Sequence, residues 1–75
     1  MEVKDAFGLV LKQVRVEYPL SQEKLASLSN LDRTYISLME RGKRNPSLET
    51  IFALALALEV LPSELITKTE KFLNQ

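Results

Sequence analysis

Cysteine and histidine are both absent from the 75 residues. Without cysteine there is no disulfide framework, no thiolate metal site and no cysteine nucleophile. Without histidine the Ser-His-Asp triad, most zinc sites and the commonest general base near neutral pH are excluded as well. Chemistry would rest on carboxylates, lysines or hydroxyls, and no acid and base pair is placed together, so neither an enzyme nor a metal or cofactor site is expected. Glycine (2) and proline (3) are scarce, while 45% of residues are apolar and 27% charged, an ordinary globular balance that excludes disorder. No apolar run approaches the roughly 20 residues that span a bilayer, and Met1-Glu2-Val3-Lys4-Asp5 does not resemble a signal peptide. The expectation is a soluble cytoplasmic protein without a membrane partner, folded as a single domain over residues 1–75 around one core.

An excess of charge of one sign is lacking too. Ten Lys plus Arg offset ten Asp plus Glu, so the global balance gives no support for a polyanionic partner. The charges are nevertheless segregated. From Arg33 to Arg44 the chain carries Arg33, Arg41, Lys43 and Arg44 against Glu40 alone, whereas from Leu48 to Ile66 it carries Glu49, Glu59 and Glu64 with no Lys or Arg. A basic centre beside an acidic flank is the distribution that a phosphate-facing surface requires. The same basic residues could also form a plain solvated face, and composition alone leaves that open.

The apolar spacing predicts five helices and no strands. Val3, Phe7, Val10, Leu11 and Val14 recur at helical intervals over about 3–17, and Pro19 ends that helix near Tyr18 to Leu20. Ser21 caps a short helix over about 22–29, after which Asn30 is the non-glycine residue best suited to a left-handed turn. Asp32 caps a helix over about 33–41 with a narrow apolar stripe of Ile36 and Met39, closed by Gly42. Lys43-Arg44-Asn45-Pro46 is a basic loop, and Ser47 caps a helix over about 48–58. Pro62 opens a last helix over about 62–74.

Two short helices joined by a three-to-four-residue turn have the geometry of a helix-turn-helix, motif about 21–41, whose second helix enters the DNA major groove N-terminus first. On that helix Arg33, Thr34, Ser37 and Leu38 have little reason to be buried, and Arg33 is able to pair bidentately with a guanine. Gln22 at the start of the preceding helix offers a side-chain amide to a phosphate.

The runs Ser21-Gln22-Glu23-Lys24-Leu25-Ala26, Asn30-Leu31-Asp32-Arg33-Thr34-Tyr35-Ile36-Ser37 and Glu40-Arg41-Gly42-Lys43-Arg44-Asn45-Pro46-Ser47-Leu48 resemble the Cro and C1 repressor type of helix-turn-helix, the XRE family. The likeness covers about residues 7–66. Within that family Ser29 to Ser37 is most similar to the controller proteins of restriction-modification systems. The resemblance implies a five-helix domain of the lambda-repressor-like type and a homodimer on a palindromic double-stranded DNA operator, repressing or activating transcription, with RNA polymerase as a further partner of an activator. By position it implies phosphate contacts from Gln22, Arg41, Lys43, Arg44 and Asn45, and base or adjacent backbone contacts from Arg33, Thr34, Tyr35, Ser37 and Leu38. It also implies an internal salt bridge between Arg15 and Glu40, which assigns Glu40 to structure.

This chain departs from the pattern at Pro19 and Asn30, where relatives commonly have glycine, and at Leu38, a position often polar, which contacts a thymine methyl or reads nothing. Tyr35 either reaches the DNA or packs its ring on the domain with only its hydroxyl exposed.

The fourth helix is more apolar than a monomer of this size needs. Leu48, Ile51, Phe52, Ala55 and Leu58 form one stripe, with Leu54 and Leu56 roughly 100° to either side. Phe52, Leu54 and Leu56 are accordingly assigned to a dimer face, with Phe72 and Leu73 of the last helix contributing to it or capping it; burial under the fifth helix is the alternative. A two-fold dimer would set two recognition helices about one DNA turn apart, roughly 34 Å. Other functions compatible with the sequence are an antitoxin-like or phage-type repressor, and an interaction module that kept the fold but not DNA binding.

Overall fold

A computed structural model describes all 75 residues. Its helices are α1 (Val3–Glu17), α2 (Gln22–Ser29), α3 (Arg33–Glu40), α4 (Leu48–Leu58) and α5 (Pro62–Leu73), with no strands. The all-α architecture is the one expected, and only the ends of α3 and α5 move, each by one residue: Arg41 and Asn74 are C-caps and not last helical residues. No single helix is long and apolar enough to cross a membrane.

The punctuation works through the side chains that the sequence singles out. Ser21 Oγ accepts from the Lys24 N–H at 3.0 Å, Asp32 Oδ1 from the Thr34 N–H at 2.8 Å, and Ser47 Oγ from the Thr50 N–H at 3.1 Å. Each satisfies a donor that the first helical turn leaves free, a contribution of typically about 1 kcal/mol. Asn30 adopts φ 57°, ψ 40° and turns the chain between α2 and α3. Gly42 adopts φ 72° and reverses it after α3, where a Cβ would press on the Asp5 carboxylate. Glu59, the C-cap of α4, is also left-handed, a conformation that nothing in its sequence position announces.

One core ties the helices together. Phe7, Val10 and Leu11 from α1, Leu25 from α2, Ile36 and Met39 from α3, Leu54, Ala55 and Leu58 from α4, and Leu65 from α5 form a single buried cluster. α1 lies against α3 and α5, and α2 against α3 and α4. Gly8 makes the α1–α3 crossing possible: a Cβ there would stand 2.9 Å from the Glu40 carbonyl oxygen and closer still to that of Met39.

The apolar stripe of α4 is rotated from the one expected. Its buried face carries Thr50, Leu54, Ala55 and Leu58, because these residues meet α2 on one side and α5 on the other. Leu54 has no exposed surface, which removes it from the dimer face and makes it a core residue. The row Leu48, Phe52 and Leu56, spaced four residues apart, points to solvent instead.

Candidate nucleic-acid interface

The N-terminal half of α3 stands clear of the protein. Arg33 and Thr34 are exposed, and Ser37 and Leu38 are half-buried on the faces flanking the Ile36 and Met39 stripe. Arg33 has a single charged neighbour, the Glu23 carboxylate at 4.0 Å, and both side chains are well solvated. Such a loose surface pair constrains little, so the guanidinium remains available to a guanine edge or a phosphate. Arg41 is exposed at the other end of the helix, with its Nε donating to the Ser37 carbonyl at 3.3 Å. Lys43, Arg44 and Asn45 follow directly on the exposed loop. Four cations are thus gathered along one short helix and its outgoing loop.

Tyr35 and Gln22, also expected contact residues, have internal partners too. The Tyr35 ring packs against the core, and its hydroxyl donates to the Asn45 carbonyl at 3.2 Å. Arg44 sits over that ring, 5.6 Å from its centre, a cation–π arrangement that steadies the basic side chain. The Tyr35 ring is packed on the domain, and its hydroxyl bond lies at the exposed edge. Tyr35 is thus a strut between α3 and the basic loop. Gln22 donates Nε2–H to Glu40 Oε1 at 3.0 Å, which leaves the second amide hydrogen for a phosphate.

Glu40 is the hub of this bracing. Arg15 Nε donates to Glu40 Oε2 at 2.6 Å and Arg15 Nη2 to Oε1 at 3.0 Å, while Nη1 reaches the Leu20 carbonyl at 2.7 Å. The two side chains are only 11% and 3% exposed. The guanidinium therefore joins the C-terminal part of α1, the loop before α2 and the end of α3, and Gln22 adds the start of α2. No buried side-chain polar atom is left without a partner.

Away from the basic segment, the Tyr18 hydroxyl donates to Glu59. That hydrogen bond, some desolvation and the nearby negative charge raise the Tyr18 pKa above its ordinary value. No group of three carboxylates gathers where it could hold a metal ion.

On the far side of α4, Phe52 is 56% and Leu56 82% exposed. With Ala53, Val60, Leu61 and Pro62 they line an apolar groove of about 500 Å³. Val60 and Leu61 escaped the sequence reading, although the apolar pair just before Pro62 is itself a signal. Phe72 packs partly on the core of its own chain, and Leu73 is half-buried.

Residues 11–65 match the family described as Helix-turn-helix. Control protein C.MunI of Mycoplasma sp is 44% identical over 71 residues, covering 93% of this chain and 96% of that relative. The crystal structure of the restriction-modification controller protein C.AhdI from Aeromonas hydrophila is similar with a TM-score of 0.81 and 50% identity, covering 83% of this chain and 94% of that one. The C.Esp1396I controller, in a tetramer in complex with its natural 35 base-pair operator, is similar with a TM-score of 0.88 and 33% identity, covering 100% and 99% of the two chains. With the caps, the turn and the basic loop in place, the chain belongs to the helix-turn-helix family of the Cro and C1 type, and its similarity extends to the restriction-modification controller proteins.

Proposed function

We propose that this protein is a sequence-specific transcriptional regulator that binds a palindromic operator as a homodimer and controls a restriction-modification system. The observation that carries the reading is the exposed N-terminal half of α3, with Arg33 and Thr34 unencumbered, held beside a basic loop that Tyr35 fixes in place. Arg33, Thr34, Ser37 and Leu38 are the residues facing base edges. Arg41, Lys43, Arg44, Asn45 and the free amide hydrogen of Gln22 hold phosphates. The exposed Phe52 and Leu56 row with its adjoining groove supports a two-fold contact, which a palindromic site requires. The similarity to controller proteins, one of them in complex with its operator, supports the same reading. On this reading the chain acts in the cytoplasm without a catalytic role, and where the regulator activates, RNA polymerase becomes a further partner.

Selection of randomised duplex DNA against the purified protein tests this, with Arg33→Ala in parallel. A two-fold symmetric site should be enriched, and the variant should lose it at a cost of about 1–3 kcal/mol. With about four phosphates neutralised per subunit, log affinity should fall against log salt with a slope of roughly −7 for the dimer. Absence of any enriched sequence at low salt would overturn the proposal, and a slope near about −2 would overturn the contact set.

A further inference from the structure

A shallow cavity of about 230 Å³ opens on the outer side of α3, lined by Asp32, Thr34, Tyr35, Leu38 and Arg44. Thr34 and Leu38 are four residues apart and so lie one above the other on the same helical face. The surround is held in place: the Asp32 carboxylate accepts from the Thr34 N–H, the Tyr35 hydroxyl donates to Asn45, and Arg44 covers the Tyr35 ring. Leu38 is half-buried in this setting, so part of its side chain faces outward between polar neighbours. A leucine on the face that enters the major groove has a chemically matched target, because the C5 methyl of thymine is the apolar group that base-pair edges present there.

We propose that Leu38, backed by the Thr34 methyl and the Tyr35 ring, reads the C5 methyl of one thymine in each half-site. The inference rests on the DNA-binding reading above and adds to it the class of base that this cavity selects. The Thr34 hydroxyl is a donor for the thymine O4 beside that methyl. Cytosine at the same place would present an N4 donor, which the hydroxyl can also meet as an acceptor, but no methyl, so the discrimination against it falls on the Leu38 half of the contact. The operator specificity of this protein therefore has an apolar component at Leu38 that is independent of the polar contact made by Arg33.

The test is a thymine-to-deoxyuridine scan of the selected operator, read by fluorescence anisotropy with the full-length protein. Deoxyuridine removes the methyl and keeps every hydrogen-bonding group. One symmetry-related thymine pair should stand out, with affinity falling about fourfold per half-site and on the order of 15-fold when both methyls are removed. Leu38→Ala should abolish the difference between thymine and deoxyuridine at that pair, Leu38→Met should keep it, and Arg33→Ala should leave the ratio unchanged. Each ratio compares two duplexes on the same variant, so a change in the folded fraction cancels. A selective operator whose scan is flat, or a ratio that survives Leu38→Ala, overturns the methyl reading while leaving the DNA-binding reading intact. Failure to select any operator overturns the DNA-binding reading and the methyl contact with it.

Discussion

Glu40→Ala is expected to cost about 3–5 kcal/mol of folding stability. The Glu40 carboxylate receives two hydrogen bonds from Arg15 and one from Gln22, and its side chain is 3% exposed. Removing it leaves the Arg15 guanidinium, 11% exposed, with the Leu20 carbonyl as its remaining acceptor in the structure. The cost arises from stranding a cation away from water, not from losing an attraction. A domain of 75 residues has a total stability of roughly 4–11 kcal/mol, so the variant should lie near the edge of folding. If desolvation is the governing quantity, the double replacement Arg15→Met with Glu40→Leu should recover most of the loss, because no buried charge remains. Urea denaturation of the wild type, Glu40→Ala and the double variant measures this, at fixed protomer concentration because dimerisation shifts apparent stability by mass action. A loss below about 1 kcal/mol for Glu40→Ala, the size typical of an exposed pair, would refute the reasoning.

Gly8→Ala places a methyl group against the carbonyls of Met39 and Glu40; helix propensity favours alanine by up to about 1 kcal/mol, yet the overlap should give a net loss of about 1–3 kcal/mol. A raised melting temperature for that variant would contradict the observed crossing of α1 and α3. Leu56→Glu, at a position 82% exposed, should change monomer stability by less than about 0.5 kcal/mol while shifting sedimentation equilibrium towards monomer. An unchanged dimer constant would remove the α4 face from the interface. The raised Tyr18 pKa means that the folded chain holds the phenolic proton more tightly than the unfolded chain does. The contribution to stability is therefore fully present below the unfolded pKa of about 10 and is lost as pH rises through the higher folded value. Denaturation of the wild type and Tyr18→Phe from pH 8 upward should show the two curves converging in that alkaline range, and parallel curves would show that the contact with Glu59 does not persist in solution.

Helix positions were legible because their ends are written in local chemistry. Ser21, Asp32 and Ser47 have oxygens that reach the first-turn amides, and Asn30 and Gly42 tolerate the left-handed turns. What failed depends on the direction from which neighbours arrive. Nine of the eleven residues of α4 are apolar, Leu, Ile, Phe or Ala, so their spacing alone is nearly compatible with any burial phase. Only the arrival of α2 and α5 decides that Leu54 goes in and Phe52 and Leu56 stay out. Gly8 carries no turn signal, since it lies within α1 and is required by a backbone approach that appears only when α3 is in place. The role of Gln22 was similarly hidden, and the packed ring of Tyr35 stood only as one of two alternatives. An exposed phenol or amide at a DNA-facing position has the same sequence signature whether its polar group meets a phosphate or a neighbouring helix.

The distribution of these braces along α3 also separates affinity from specificity. Eight residues are too few for a helix that is stable by itself in water, so the orientation of α3 must be imposed by the rest of the fold. The main braces act at its buried stripe and its C-terminal end: Ile36 and Met39 in the core, Glu40 on Arg15 and Gln22, and Tyr35 on the outgoing loop. Arg33 and Thr34 at the other end receive little side-chain support. Substitutions in the braces should therefore weaken binding to every duplex by similar factors, because they alter how often α3 is presented correctly. Substitutions at Arg33, Thr34 or Leu38 should instead change which duplex is preferred. Parallel selections with Tyr35→Phe and Arg33→Ala test the division: the first should enrich the wild-type operator with reduced yield, and the second a relaxed site. An altered consensus from Tyr35→Phe would mean that its hydroxyl leaves Asn45 when DNA arrives, placing Tyr35 among the base-reading residues after all.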